Sequence, residues 1–348
     1  MIIAVTGSQK NVGDFLIAAR SIQLLKKYVD EEIVEMKFQE MEEGKLEFMN
    51  SARAIILCGG PSIAKNMVPE IYPLFFNKLV PPIFPLGPGW SGKPIGKPEE
   101  FEMGKGTLEF LEGVHGEIEH SSCRDILTES ILMNNGFQTL MTGCPAWYDL
   151  ESINEKFEFR EEIRSLVFST PAVIDWNSIS LMRAIAKSFP GARKICSFHR
   201  GIRPDRYTPL RIGIKYSIVS FLAKMMGYEV VDTSYDLEKI DFYKTCDFHI
   251  GYRVHAHLFF LARRLPSILI CEDGRGVGQS KTLGSNVILS GDNNLKEKVM
   301  LEISHYYDSQ GESQRNAIDK MMANFPLMLG YLEMIRSIVI PTSMIHGE

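Results

Sequence analysis

The sequence contains no long apolar run, no excess of basic residues and no pattern of paired cysteines. No segment reaches the run of about 18 apolar residues that a membrane-spanning helix needs. The first residues, Met-Ile-Ile-Ala-Val-Thr-Gly, lack the basic stretch and the long apolar stretch of a secretion signal. The net charge of -5 argues against broad binding to nucleic acid or to a membrane surface, so any anion site must be local. We therefore expect a cytoplasmic protein.

Cysteine is scarce and scattered. The six cysteines form no Cys-x-x-Cys pair, and Cys58 and Cys271 lie within apolar, strand-like runs. This usage indicates reduced, buried thiols rather than a disulfide framework or a zinc site. The sequence also has no Asp-x-Asp pair and no cluster of His, Cys and Glu. We therefore expect no essential metal and no cofactor.

The sequence does contain apolar, strand-like runs that alternate with stretches of helical periodicity. Its 348 residues, 45% hydrophobic and 23% charged, are typical of a globular protein, and the length favours two domains. The predicted strands lie at 2–6, 33–38, 54–58, 83–86, 117–121 and 138–141, and then at 165–169, 194–198, 229–231, 247–250 and 267–271. Such alternation predicts an α/β protein with mostly parallel sheets.

The charge-rich, weakly periodic stretch 149–164 marks the expected domain boundary. We predict one domain at 1–155 and a second at 160–310. Residues 313–338 have the periodicity of a long amphipathic helix, which we expect to be interrupted near Pro326. The glycine-rich stretch 271–281 predicts a long loop.

The most informative motif is the strand 247–250, which runs into a turn and then into a helix. The turn carries Gly251, Arg253 and His255. A strand end that opens a helix is where open α/β sheets bind anions, and an arginine beside an imidazole suits chemistry on an anionic substrate. Residues two apart on a helix point about 200° away from each other, so His255 and His257 cannot both face one site. We assign the chemistry to His255.

Other candidate residues follow predicted strands in the same way. Gly13 lets the backbone approach a ligand closely, and Asp14 is placed to cap the first helix. The loop is not a Walker loop, because no Gly-Lys-Ser/Thr follows it. Arg200 lies in a loop that could hold a carboxylate or phosphate, or could simply be solvated. The further candidates are Asn11, Gly59, Gly60 and Arg124.

The pattern Ile-Gly-x-Arg-x-His, followed by an apolar helix, Leu-Pro, an apolar strand and Lys281-Thr-Leu-Gly284, resembles the polysaccharide pyruvyl transferase family. Further blocks resemble the family in the same order, and together the blocks extend from about Asn11 to Gly284. They are Asn11-Val-Gly-Asp14, Ile55-Ile-Leu-Cys-Gly-Gly-Pro61, Pro85-Leu-Gly-Pro-Gly89, Cys123-Arg-Asp125 and Pro145-Ala-Trp-Tyr-Asp149.

The resemblance implies two doubly wound, Rossmann-like domains in a B-type glycosyltransferase-like arrangement. It also implies that the helical segment 311–348 packs back on the first domain. The activity it implies is a transferase of polysaccharide (exopolysaccharide) biosynthesis. Such an enzyme moves the enolpyruvyl group of phosphoenolpyruvate onto a sugar of a cell-surface polysaccharide or its precursor, as a ketal.

The resemblance also implies roles for individual residues, in a site between the two domains. Arg253 and His255 are the expected catalytic residues. The expected partners are phosphoenolpyruvate and a saccharide acceptor, and no nucleic acid is expected. Two questions stay open: whether the protein makes peripheral contact with a lipid-linked acceptor, and which oligomer it forms. Either Lys281 or Arg275 supplies the last basic group. The expected substrate-binding residues are Asn11, Gly13, Asp14, Gly59, Gly60, Arg124, Arg200 and Lys281.

Two alternatives from other functional classes stay open at this point. A sugar-nucleotide-dependent glycosyltransferase of the same fold would also need a basic site, because its donor carries a diphosphate. A nonenzymatic, ligand-binding relative would turn over neither donor. The sequence does not indicate which sugar is the acceptor.

Overall fold

The computed structural model describes residues 1–7, 9–59, 63–94 and 96–340. The chain divides into two compact units. The first combines Met1–Ser8, Ile17–Tyr148 and Met321–Glu348, and the second combines Gln9–Leu16 and Asp149–Lys320. The division at Tyr148 lies at the start of the charge-rich stretch predicted as the boundary. The chain also enters the second unit once near its beginning, at Gln9–Leu16, which the sequence did not indicate.

The first unit is built on a parallel sheet with the strand order β2-β1-β3-β4. A separate parallel pair, β5-β6, accompanies it. Strands β1, β3 and β4 are buried along their whole length, as expected for strands covered on both faces. The strands are β1 (Ile2–Thr6), β2 (Ile33–Lys37), β3 (Ile55–Cys58), β4 (Ile83–Leu86), β5 (Ser121–Cys123) and β6 (Thr139–Met141).

Two of the helices in the first unit, the first and the last of the chain, begin in segments that belong to the second unit. The helices are α1 (Val12–Tyr28), α2 (Leu46–Asn50), α3 (Met67–Glu70), α4 (Lys105–Glu117), α5 (Ile126–Asn134) and the C-terminal α11 (Glu312–Val339), with short 3-10 turns at Phe38–Glu40, Glu43–Lys45, Leu74–Lys78, Pro98–Glu100 and Pro145–Trp147. The later part of α11 packs within the first unit. Tyr331 donates a hydrogen bond to the carbonyl of Pro85 at 2.8 Å, and the ring of Phe325 packs against Tyr148.

The second unit contains a six-stranded parallel sheet with the order β12-β11-β10-β7-β8-β9. From β7 the chain builds the sheet in one direction through β8 and β9, and then crosses back to add β10, β11 and β12 on the other side. The sheet therefore reverses between β7 and β10, which is a topological switch point. The strands are β7 (Ser165–Ser169), β8 (Arg193–Phe198), β9 (Tyr228–Asp232), β10 (Phe248–Gly251), β11 (Ser267–Cys271) and β12 (Ile288–Leu289).

Helices cover this sheet and complete the core of the second unit. The core consists of apolar side chains from the strands and from the inner faces of the helices, with Phe168, Phe248 and Tyr306 among its large members. The helices are α6 (Trp176–Ser188), α7 (Leu210–Met225), α8 (Val254–Ala262), α9 (Gly274–Leu283) and α10 (Leu295–Asp308), with a 3-10 helix at Glu238–Thr245.

Three predicted elements are wrong. The strand expected at 117–121 begins only at Ser121, because α4 continues to Glu117. The stretch 271–281, expected to be a loop, is mostly the helix α9. The C-terminal helix, expected to be interrupted near Pro326, continues through this residue, since its apolar side chains are buried on both sides of the proline.

Candidate anion site at the switch point

The ends of β7 and β10 meet at the switch point of the second sheet, and both carry small residues there. Gly251 is paired with Ser169 in the ladder between these strands. A Cβ atom at Gly251 would lie 2.4 Å from Ser169 Oγ and 2.6 Å from its backbone nitrogen, so only glycine fits. The backbone N–H of Arg253 donates to Ser169 Oγ at 3.1 Å. This contact fixes the start of α8 against the end of β7.

Arg253 is the residue that directly precedes α8. Its side chain is half-buried, and its Nε, shielded from solvent, has no hydrogen-bond partner among the residues that the structure describes. Burial lowers the pKa of Arg253, and the nearby carboxylate of Glu272 opposes this effect. A guanidinium remains protonated in spite of such a shift. Arg253 is therefore a shielded, incompletely paired cation at the carboxyl end of the sheet.

His255 lies in the first turn of α8 and is buried. The backbone of Gly13 packs directly on its ring. A Cβ atom at Gly13 would lie 2.3 Å from His255 Nδ1 and 2.8 Å from Cγ, closer than real contacts allow. Gly13 therefore allows the segment 9–16 to cover the imidazole.

Several contacts hold the segment 9–16 on the second unit. The backbone N–H of Val12 donates to the carbonyl of His199 at 3.3 Å, and the N–H of Tyr235 donates to the carbonyl of Lys10 at 2.8 Å. The buried ammonium of Lys10 pairs with Asp205 at 2.6 Å and also contacts the hydroxyl of Thr208. The first helix thus starts beside His255 in a defined position.

Asn11 and Asp14 both belong to this helix start, although Asp14 does not cap the helix as expected. The helix begins at Val12, three residues earlier than a cap at Asp14 would give, and Asp14 lies in its first turn. The N–H of Asp14 donates to the carbonyl of Asn11 at 3.0 Å. The charge of Asp14 acts on Arg275, so the segment 9–16 also brings an acidic group toward the site.

Arg200 and Arg275 supply further positive charge. Arg200 follows β8 and is exposed, and Arg275 lies in the first turn of α9. Both charges act on Arg253. Burial alone would lower the pKa of Arg275. Its hydrogen bonds to Asp273, with Arg275 Nε 3.0 Å from Asp273 Oδ2, outweigh burial, so the pKa of Arg275 is raised. Lys281 lies in the last turn of α9, exposed, about 9 Å along the helix axis from Arg275. The structure therefore brings Arg275, rather than Lys281, toward Arg253.

Glu272 is a functional candidate that the sequence reasoning missed. It directly follows β11 at the same edge of the sheet as Arg253. The backbone N–H of Ala172 donates to Glu272 Oε1 at 2.7 Å. Burial raises the pKa of Glu272, and the charge of Arg253 partly offsets the rise. Glu272 is therefore a carboxyl group with a raised pKa beside a cation, a combination that is common among proton-transfer groups.

A buried chain of hydrogen-bonded histidine and serine side chains lies beside the turn that carries Arg253. His249 Nε2 lies 2.8 Å from Ser169 Oγ, and His249 Nδ1 lies 2.7 Å from Ser267 Oγ. His257 Nδ1 also lies 2.7 Å from Ser267 Oγ. Burial lowers the pKa of His257 to about 3, so this histidine is neutral. His257 is a core group, while His255, two residues earlier, meets the segment 9–16.

His199 belongs to a second group of buried, hydrogen-bonded side chains. Its Nε2 is 2.8 Å from the hydroxyl of Tyr243, which donates to Ser197 Oγ at 2.7 Å. Burial lowers the pKa of His199 well below its ordinary value, and the charge of Arg253 acts in the same direction. The imidazole of His199 is therefore neutral and fixed by Tyr243, while the backbone carbonyl of the same residue accepts the hydrogen bond from Val12.

The remaining candidates lie in the first unit. Arg124 is buried between β5 and α5, and its backbone N–H donates to the carbonyl of Pro88 at 3.1 Å. A Cβ atom at Gly89 would lie within 2.2 Å of the Arg124 guanidinium carbon, so the glycine-rich loop packs on this side chain. Gly59 has a φ of +58° and packs on Ile17. Gly60 lies outside the described residues.

Two further properties bear on the class of protein. Across residues 1–7, 9–59, 63–94 and 96–340, no group of three or more His, Cys, Asp or Glu side chains is placed to hold a metal ion. Within the same residues, no helix combines the length and the apolar character needed to cross a bilayer.

The parallel sheets and their covering helices define an α/β protein with the B-type glycosyltransferase fold, and solved structures with low identity support this fold. One is MnaA of S. aureus in a structure with UDP, with a TM-score of 0.55, 11% identity, and coverage of 91% of this chain and 90% of that chain. Another is UDP-GlcNAc 2-epimerase from Neisseria meningitidis, with a TM-score of 0.53, 10% identity, and coverage of 94% and 99%. A third is sucrose-phosphate synthase from Thermosynechococcus elongatus, with a TM-score of 0.54, 10% identity, and coverage of 96% and 98%.

The sequence itself decides the family. Residues 11–270 match the model of the polysaccharide pyruvyl transferase family, so the chain belongs to this family. The match covers both the segment around Gly13 and the turn with Arg253 and His255. No curated protein is similar enough in sequence to match the chain.

Proposed function

We propose that the protein transfers the enolpyruvyl group of phosphoenolpyruvate to a sugar of a cell-surface polysaccharide or its precursor, forming a ketal. The observation that carries this proposal is Arg253, a shielded cation whose Nε lacks a partner among the described side chains, two residues before His255. Phosphoenolpyruvate carries a phosphate and a carboxylate close together. A forked guanidinium, with Arg200 and Arg275 nearby, suits such a donor.

The proposed reaction breaks two bonds of the donor, the π bond between C2 and C3 and the bond from C2 to the phosphate oxygen, and forms two carbon–oxygen bonds and one carbon–hydrogen bond. One sugar hydroxyl adds to C2 of the enol while C3 takes up a proton and becomes a methyl group. The bond between C2 and the phosphate oxygen then breaks, and a second hydroxyl adds to C2. Two protons leave the hydroxyls, one is gained at C3, and the other leaves with inorganic phosphate or solvent.

The site residues divide this work among binding and proton transfer. His255 is the proposed proton donor or acceptor, since the segment 9–16 fixes its ring. Arg253, together with the backbone amides at the start of α8, is proposed to bind the donor's anionic groups. Glu272 is proposed as the second proton-transfer group, because its pKa is raised by burial. Neither role calls for a metal or a cofactor.

We further propose that the reaction takes place in the cytoplasm. The six cysteines are free and buried, as is usual in a reducing compartment. The second candidate function is sugar-nucleotide-dependent glycosyl transfer. The structure of MnaA with UDP, on a similar fold, favours keeping this alternative.

A donor comparison tests the proposal. We expect phosphoenolpyruvate to raise the melting temperature of the protein, and UDP-glucose at the same concentration to leave it nearly unchanged. With a panel of saccharide acceptors, phosphoenolpyruvate should release inorganic phosphate, and one acceptor should gain a ketal detectable by mass spectrometry. Stabilisation by UDP-glucose alone would instead support the glycosyltransferase, and stabilisation by neither donor would support a nonenzymatic relative.

A further inference from the structure

Helix α7 has two apolar faces, and only one of them lies against the core of the second unit. Its inner face consists of Gly213, Tyr216, Val219, Ser220 and Ala223, which are buried. Its outer face is also apolar but remains in solvent. The exposed fractions of its side chains are 68% for Leu210, 51% for Ile214, 54% for Ile218, 63% for Phe221 and 72% for Met225.

These five exposed side chains form one continuous stripe. At 100° per residue, they fall within a sector of about 80°, on the side of the helix opposite the buried face. Pro204, which precedes the helix in the chain, adjoins the stripe. Together with Ile214, Ser217, Ile218 and Phe221 it lines an open depression with a volume of about 380 Å³. Single exposed apolar residues are common, but an ordered stripe along a whole helix indicates an interaction surface.

The charges on α7 indicate what covers this stripe. The helix carries Arg211, Lys215 and Lys224 and has no acidic residue, although the whole chain has a net charge of -5. All three basic side chains are exposed, and within the described part of the chain none forms an ion pair. Arg211 and Lys224 lie on opposite flanks of the stripe by the same angular reckoning. An apolar stripe with basic flanks is typical of helices that lie in the interface of an anionic bilayer.

We propose that this face of α7 rests on the surface of an anionic lipid bilayer. The helix of 16 residues is about 24 Å long and would lie parallel to the surface, with its stripe in the interfacial region. A second copy of the chain fits less well, because a symmetric contact would bring the same three positive charges together. This proposal goes beyond the proposed function and does not depend on the donor, since no proposed site residue lies on this helix.

Co-sedimentation of the full-length protein with lipid vesicles tests the proposal. We expect binding to vesicles that contain phosphatidylglycerol with phosphatidylcholine, and little binding to phosphatidylcholine alone. The double variant Ile218→Glu, Phe221→Glu should reduce the partition coefficient at least about tenfold. Both side chains are exposed, so the fold should not depend on them. The matched control is Leu301→Glu on α10 of the same unit, where Leu301 is 71% exposed but belongs to no such stripe.

The basic flanks are tested separately. The triple variant Arg211→Gln, Lys215→Gln, Lys224→Gln should remove most of the preference for anionic vesicles, because each basic side chain near such a surface contributes about a fivefold factor. Absence of vesicle binding by the wild type would overturn the proposal, as would equal losses in the Leu301→Glu control. Sedimentation velocity provides the other decisive outcome. A dimer that the double variant dissociates would show that a second copy covers the stripe.

Discussion

Arg253 is the residue on which binding of the donor should depend most. In the Arg253→Ala variant we expect the affinity for phosphoenolpyruvate to fall by about 2–3 kcal/mol, because a charge-assisted, forked interaction is lost. This corresponds to a decrease of roughly 30- to 150-fold. The melting shift produced by phosphoenolpyruvate measures the change.

Two further variants make the Arg253 test specific. Arg253→Lys keeps the charge but loses the fork, and should recover only part of the affinity. Arg183→Ala, an exposed arginine on α6 of the same unit, is the matched control and should leave the shift intact. An undiminished shift in Arg253→Ala would contradict the assignment.

His255 and His257 should give opposite patterns of damage. His255→Gln should lower the rate of phosphate release about 10²–10⁴-fold while phosphoenolpyruvate still stabilises the protein, because a proton-transfer group acts in the transition state. His257→Gln should cost about 1–3 kcal/mol of folding stability, because it disturbs the buried hydrogen bond to Ser267. Its rate per folded molecule should be nearly normal. Steady-state rates and urea unfolding of both variants separate the two roles, and full activity of His255→Gln would disprove the catalytic role.

On the scale of elements, the contact between the start of α1 and the start of α8 leaves no room for a larger side chain at Gly13. In Gly13→Ala the new methyl group would overlap the His255 ring, so either the helix start or the imidazole must move. A displacement of about 1 Å can cost on the order of 10²-fold in rate. Gly191→Ala is the matched control, because nothing lies within 4 Å of its new Cβ. The phosphate-release rates should differ at least tenfold between the two variants, and equal rates would show that the contact does not position His255.

Helix α9 shows why part of the site could not be predicted from the sequence. Glycines at positions 274, 276 and 278 predicted a loop, since each costs a helix up to about 1 kcal/mol. The structure favours a helix because Asp273 accepts a hydrogen bond from the N–H of Arg275 at 3.0 Å, and because Gly276 lets the helix pack on Cys271. This tertiary contact outweighs the local preference. It also moves Arg275 toward Arg253 and leaves Lys281 in solvent.

The sequence did predict the strand that leads to Arg253 and the helix that follows it, because strong local patterns define both. Strand β11, which the sequence placed at 267–271, agrees with the observed limits. The same rule that selected Arg253, a polar residue at the carboxyl end of a parallel strand, would have selected Glu272. The contact of Gly13 with His255 had no local signal, since it joins residues far apart in the sequence. Whether Arg124 contacts the same substrate as His255 stays a prediction.

For the whole molecule, the buried histidines predict loss of stability in acid. Burial lowers the pKa of His257 to about 3, below the ordinary value of 6.5, and it lowers the pKa of His199 and His249 as well. A group with a lowered folded-state pKa contributes stability above pH 6.5 that is lost as the pH falls toward 3. For His257 the loss between pH 7 and pH 4 should be about 3 kcal/mol.

Urea unfolding at a series of pH values, followed by circular dichroism, checks this prediction. Wild type and His257→Gln should differ most at pH 7, and the difference should shrink by pH 4, because the glutamine does not titrate. A difference that stays constant over this range would indicate that folding does not lower the pKa of His257.

The segment 9–16 belongs to the second unit although it is synthesised near the start of the chain, and this has a consequence for folding during synthesis. Lys10 leaves the ribosome long before its partner Asp205, which is 195 residues further along the chain. At about 5–20 residues per second, this interval lasts roughly 10–40 s. During that time the segment 9–16 has none of the second unit to pack against, and the first unit still lacks the late part of α11. Neither half can therefore mature fully until translation is nearly finished, and the nascent protein would be vulnerable to proteases and dependent on chaperones for most of that period.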